Sequence, residues 1–281
     1  MDTSTMPPRS AIRCYQAICE AALVGKPWLV TERRTVTFGE LRTRIEAMAG
    51  LLRDCGVGPG QRVVIASRDD AEASMLFVAL LCNGVTVVNL DPETSAERAQ
   101  SLIRRADCSL QLLDRELAEK WSTAELPGRL LEIVSATAAT GGVLGKLFAR
   151  KSAPPAGLHG LLAAARPGLP PDSIDPESLA YILFTSGTTD QPKGVCISHR
   201  ALFAHLETLS RVYGYDATSR ILNILALSHA DGMLQGPVIG FFNTAAVYRR
   251  SISRSLASNP CSMRSISCAS PTWSRCRPCS R

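Results

Sequence analysis

From Val36 the apolar positions recur at helical spacing: in VTFGELRTRIEAMAGLLRDCGVGPGQRVVI, residues Leu41, Ile45, Met48, Leu51 and Leu52 share one face after a short β-prone run. That spacing predicts an amphipathic helix closed by Gly56 and Gly58. Gly60 leads into a β-branched strand, Arg62 to Ala66, and Ala71 to Cys82, rich in Ala, Leu and Met, reads as a second helix. Val85 to Asn89 follows as a strand. Asp91 and Pro92 then turn the chain into a helix over Ser95 to Ala106, and a strand is expected around Leu110 to Leu113. Strands and helices alternating with Gly and Pro punctuation predict an α/β fold, with parallel β-sheets flanked by helices.

Residues 136 to 176 carry small residues and prolines (SATAATGG, SAPPAG, RPGLPPD) with little periodicity, and read as a surface connection. YILFT, Tyr181 to Thr185, is a strand running into a Ser- and Thr-rich loop. Val195 to Ile197 resumes extended structure, and Ser198 is placed to cap a helix from His199 to Val212.

Composition changes this picture little. The chain has 46% hydrophobic and 20% charged residues, ordinary for a globular protein. The longest apolar stretch, Met75 to Val88, is broken by Asn83 and Gly84 and falls short of the roughly 18 residues a membrane span needs. No membrane span is expected, and MDTSTMPPRS lacks the plan of a secretory signal, so a cytoplasmic location is expected. Six cysteines, at 14, 19, 55, 82, 108 and 196, are scattered singly and read as free thiols. The net charge of +6 is concentrated at one end, because residues 251 to 281 hold five Arg and no Lys, Asp or Glu. No specific nucleic-acid partner is expected.

The chemistry concentrates in LAYILFTSGTTDQPKGVCISHRAL. Thr185, Ser186, Thr188 and Thr189 set four hydroxyls around Gly187, and Lys193 follows between Pro192 and Gly194. Hydroxyls and backbone N–H groups can bond the oxygens of a polyphosphate while the ammonium supplies a compact charge. A polar turn between two strands is the alternative reading of the same composition.

The string TSGTTDQPKG resembles the TSGTTGxPKG loop of the adenylate-forming (AMP-binding) superfamily, of acyl-CoA synthetase or acyl-AMP ligase type. VTFGELRTRIEAMAGLL is similar to the family's early tyrosine-x-glutamate-leucine helix. LLCNGVTVVNLDPETSAER resembles its strand and proline-leucine-aspartate-proline turn, and NILALSHADGMLQGPVIGFFNTAAV its PLxHxxG segment, which matches His229 and Gly232. About residues 20 to 250 are covered. Asp190 stands where the family usually has Gly, adding a negative charge at the edge of a triphosphate site.

The resemblance implies ATP-dependent activation of a small-molecule carboxylate, a fatty or aryl acid, as an acyl-adenylate, with Mg²⁺ shielding the phosphates and the thiol of CoA or of a carrier protein as acceptor. It implies that Thr185, Ser186, Gly187, Thr188, Thr189 and Lys193 hold phosphates, and that His229 lines the carboxylate pocket as the catalytic-site residue. It implies an incomplete large N-terminal domain over residues 1 to 250, because none of the family's later elements appears. Residues 251 to 281, with ten Ser, five Arg and four Cys, form an anomalous and irregular tail, disordered or frameshifted. Such a truncated chain is expected to be inactive alone. A non-catalytic module that binds a nucleotide or a partner subunit is the alternative. Zinc binding by Cys261, Cys268, Cys276 and Cys279 and a Walker-type reading of Gly141 to Leu147 both fail on spacing, and no metal site is assigned.

Overall fold

A computed structural model describes residues 9–134, 157–185 and 193–250, with the backbone alone of Thr185. The chain opens with α1 (Ala11–Ile18), capped by Ser10, then β1 (Pro27–Val30) and β2 (Thr35–Thr37). Next comes α2 (Phe38–Asp54), on which the expected face, Leu41, Ile45, Met48, Leu51 and Leu52, is buried. Its start is set by a capping box: Glu40 N–H donates to Thr37 Oγ1 (3.2 Å) and Thr37 N–H donates to Glu40 Oε2 (2.7 Å). Its end is set by Gly56, whose φ of +70° lies in the left-handed region.

Then follow β3 (Arg62–Ala66), α3 (Asp70–Cys82), β4 (Thr86–Asn89), α4 (Ala96–Ala106), β5 (Leu110–Asp114), α5 (Arg115–Trp121) and β6 (Arg129–Ile133). Beyond these come α6 (Leu158–Ala164), β7 (Leu179–Thr185), β8 (Lys193–Ser198), α7 (His199–Tyr213) and β9 (Arg220–Asn223). The last elements are α8 (Ala230–Met233), a π-type turn (Leu234–Val238), α9 (Ile239–Asn243) and β10 (Ala246–Arg249).

Six strands form one sheet in the order β6-β5-β3-β4-β7-β8, parallel except for the antiparallel pair β7 and β8. Four form a second sheet, β2-β1-β10-β9, in which Leu29 pairs in parallel with Val247. One core cluster joins α2 and α3 to inward residues of both sheets, Val63, Ile65 and Val87 from the larger and Leu29, Ile221 and Val247 from the smaller. Every residue from Ala71 to Cys82 is buried, so the apolar run from Met75 to Val88 divides at Asn83 and Gly84 into the end of an interior helix and the strand β4. A second cluster, Val64, Ala66 and Val88 against α4 and α5, covers the other face of the six-stranded sheet.

Two details depart from the sequence reading. The segment read as a surface connection contains α6, whose Leu158 and Leu162 are buried and which packs on α2 and β6. The return strand begins at Lys193 rather than Val195, so Lys193 stands on the sheet and not in the loop.

Candidate active site

β7 rises through the six-stranded sheet beside β4 and delivers the chain to residues 186–192; β8 brings it back antiparallel. Thr185 and Lys193 are paired across the two strands, so they stand at the mouth of a hairpin whose tip is the hydroxyl-rich loop. Ser186, Gly187, Thr188, Thr189 and Asp190 lie outside the described residues. Lys193 is exposed, leaving its ammonium free to meet a solvated anion. Gly194, opposite Phe184, has little spare room: a Cβ there would meet Ile182 Cγ2 at 3.2 Å and Phe184 Cε1 at 3.3 Å, so these side chains would have to shift by a few tenths of an ångström.

The hairpin mouth is at the C-terminal end of the parallel strands, where α/β sheets present their ligand sites. His229 reaches the same end from the smaller sheet. It is the N-cap residue of α8, in extended conformation (φ −83°, ψ 144°), exposed, and without a capping bond from its side chain. Its segment is held by Asn89, at the end of β4, whose Nδ2 donates to the Leu227 carbonyl (2.7 Å), and by Ser228 Oγ bonded to Asp91 Oδ2 (3.1 Å). His229 lines a small cleft with Phe77, Asn89, Tyr181, Leu183 and Met233. The open volume is about 10 Å³, room for about one water, so a substrate must part these walls. Burial first, then the Asp231 carboxylate, raises the Tyr181 phenol above its ordinary range and keeps it protonated at neutral pH.

Asn89, Tyr181 and Asp91 carry no site role in the sequence reading. The signal available was the NLDPE string directly after a buried strand, a position from which side chains reach the sheet's C-terminal edge.

A much larger cavity lies elsewhere among the described residues. About 830 Å³ opens between α1 and α7, lined by Arg9, Gln16, Ile174, His199, Phe203 and Thr208, at the end of β8 remote from the loop. Its helix terminus has no spare donors: the His199, Arg200 and Ala201 N–H groups already bond Ser178 O, Pro176 O and Ser198 Oγ. We therefore place the candidate site at the hairpin, not here. Among the described residues no group of three or more His, Cys, Asp or Glu side chains is placed to hold a metal ion.

A hairpin mouth at the C-terminal edge of a parallel sheet, with the His229 segment beside β7, lies where α/β folds carry their ligand sites. The family model for AMP-binding enzymes matches residues 17–258, and the chain belongs to that family. Over 202 residues it is 32% identical to phosphinothricin tripeptide synthetase PhsC of Streptomyces viridochromogenes, covering 72% of this chain and 16% of that protein. The fold is shared with the fatty acyl-adenylate ligase of L. pneumophila solved with acyl adenylate and pyrophosphate. There the TM-score is 0.69 at 18% identity, over 90% of this chain and 41% of that one. ATP-bound MatB from Rhodopseudomonas palustris superposes with a TM-score of 0.67 at 19% identity, over 86% of this chain and 45% of that one. The chain thus spans less than half the length of these relatives.

Proposed function

We propose that residues 1 to 250 are the phosphate-binding part of an adenylation domain that activates a carboxylic acid with ATP. In the reaction a carboxylate oxygen bonds to the α-phosphorus of ATP, the bond to the bridging oxygen breaks, and pyrophosphate leaves. The observation that carries this reading is the Thr185–Lys193 pair at the mouth of the TSGTTDQPKG hairpin, on the edge where a parallel sheet presents its ligands. Lys193 contributes a positive charge toward the β- and γ-phosphates, and the hydroxyls of Thr185, Ser186, Thr188 and Thr189 with the Gly187 N–H contribute hydrogen bonds. Mg²⁺ bound to the phosphates of ATP would shield their charge, and an ion that keeps several waters would need no all-protein cage.

His229 sits where the acid must enter. Phe77, Tyr181, Leu183 and Met233 around it favour an apolar acyl chain or ring, supporting a fatty or aryl acid. The acceptor in our reading is a thiol, of CoA or of a carrier protein. The free state of Cys14, Cys19, Cys55, Cys82, Cys108 and Cys196 supports a reducing compartment such as the cytoplasm. Residues 251 to 281 are assigned to a separate tail.

The test is ATP–pyrophosphate exchange by the purified chain with a panel of fatty, aryl and amino acids, alongside ATP binding by calorimetry. Binding lost in Lys193→Ala supports the loop assignment. ATP binding without exchange for any acid supports the phosphate site and an inactive chain. No ATP binding at all removes the reading.

A second reading, a non-catalytic module docking a partner subunit, is favoured by one observation. Leu222, Ile224 and Leu225, on and after the edge strand β9, are 61%, 47% and 48% exposed. Robust exchange would exclude it.

A further inference from the structure

Arg249, the last residue of β10, is buried, its side chain keeping 2% of its exposure. A buried guanidinium destabilises unless its fork is fully engaged, and here all three nitrogens donate. Nε bonds Asp70 Oδ2 (2.9 Å) in the first turn of α3, Nη1 bonds Asn223 Oδ1 on β9, and Nη2 bonds the Leu225 carbonyl (2.9 Å).

Two of these acceptors lie on the segment that leaves β9 and ends at His229. Apolar packing does little to fix its path, since Ile224 and Leu225 are exposed and the next buried side chain is Leu227. Polar contacts fix it instead, with Arg249 at Asn223 and Leu225, Asn89 at Leu227 and Asp91 at Ser228. Asn223 passes the hold forward, donating through Nδ2 to the Asp231 carbonyl (3.4 Å), two residues past His229.

We propose that the Arg249–Asp70 pair is a positioning device: it sets the course of residues 223 to 228 and thereby the place of His229 beside β7. The proposal rests on the reading of His229 as a pocket residue. Asp70 orients the guanidinium from α3, and the planar fork holds three acceptors from three separate nitrogens in fixed directions, which the single nitrogen of an ammonium does not.

Hydrogen–deuterium exchange on the full 281-residue chain tests it, comparing wild type with Arg249→Met, Arg249→Lys and Asp70→Asn. The His229 amide, bonded to Ala226 O at 3.0 Å, and its neighbours should exchange roughly tenfold faster in Arg249→Met, while α3 and β3 keep their wild-type protection. Arg249→Lys and Asp70→Asn should fall between, and carbethoxylation of His229 by diethyl pyrocarbonate should accelerate in the same order. Unchanged exchange over residues 224 to 229, or a uniform acceleration across the chain, overturns the proposal. If Arg249→Met does not fold, the Lys and Asn variants decide, and wild-type exchange over that segment in both of them overturns it. ATP binding by the wild type is read separately: its absence counts against the adenylation reading, whereas the amide rates decide the positioning role.

Discussion

β3, β4 and β5, at the middle of the six-stranded sheet, are buried on both faces almost without interruption, whereas β9 and β10 alternate residue by residue, with Leu222 and Tyr248 exposed on one face. The first pattern belongs to strands enclosed by helices on both sides, here α2 and α3 on one and α4 and α5 on the other. The second belongs to a sheet packed on one side only. The two sheets share a core through α3, yet the larger is packed on both faces and the smaller on one, and the segment leaving β9 near the candidate site is held by polar contacts such as Arg249 with Leu225. Rigidity should therefore be unequal across the molecule.

The most severe test of that contrast is Leu76→Ala on α3, a fully buried side chain. It should cost about 2–5 kcal/mol by chemical denaturation. A loss under about 1 kcal/mol would mean the shared core is looser than its burial implies.

Next in size is a pH effect on the larger sheet's side. His199, at the start of α7, is pushed down to about 4 from 6.5 by burial, which Asp175 only partly opposes. The unfolded chain binds this proton more readily, so the neutral histidine contributes full stability above about pH 6.5 and that contribution is lost as pH falls toward 4. The loss should approach roughly 3 kcal/mol and be absent in His199→Phe. A midpoint of denaturation equally sensitive to acid in both proteins would assign the loss elsewhere.

Lys193→Ala removes one charge-assisted contact at the hairpin mouth and should weaken ATP binding by roughly ten- to a hundredfold, with the unfolding midpoint almost unmoved because the side chain is exposed. Calorimetry with ATP reads this directly. Equal affinity in both proteins would leave the hairpin without its assigned ligand.

Smallest is Leu222→Ser on β9, which should change stability by less than about 0.5 kcal/mol while reducing self-association seen by light scattering. A large destabilisation would show that this face is covered in solution, and the contrast between the sheets would fail.

The larger sheet was legible except for α5 and its edge strand β6, because the signals of the rest are local. Leu41, Ile45 and Met48 mark the buried face of α2, Thr37 and Glu40 mark its start, and the β-branched runs of β3 and β4 are bounded by glycine. The smaller sheet was not legible. Its strands are three or four residues long, and β1 finds its partner β10 only across most of the chain. α6 escaped for a related reason: Leu158 and Leu162 are a minimal stripe, stabilised by contact with α2 and β6 rather than by local propensity. At the site, the loop residues and His229 stood out through their resemblance to a family. Asn89 and Tyr181 did not, because an amide or phenol on a buried strand acquires meaning only when the neighbouring segment is seen above it.

The pairing of Leu29 with Val247 sets a timetable for synthesis. At a ribosomal rate of about 5–20 residues per second, β1 waits roughly ten to forty seconds for β10 to be made. Throughout that interval Trp28 and Leu29, both fully buried at the end, lie on a strand whose β10 edge is unpaired and whose other edge holds only the short strand β2. A nascent chain with such a gap invites a holding chaperone, and slowing translation late in the message should lengthen its dependence on one.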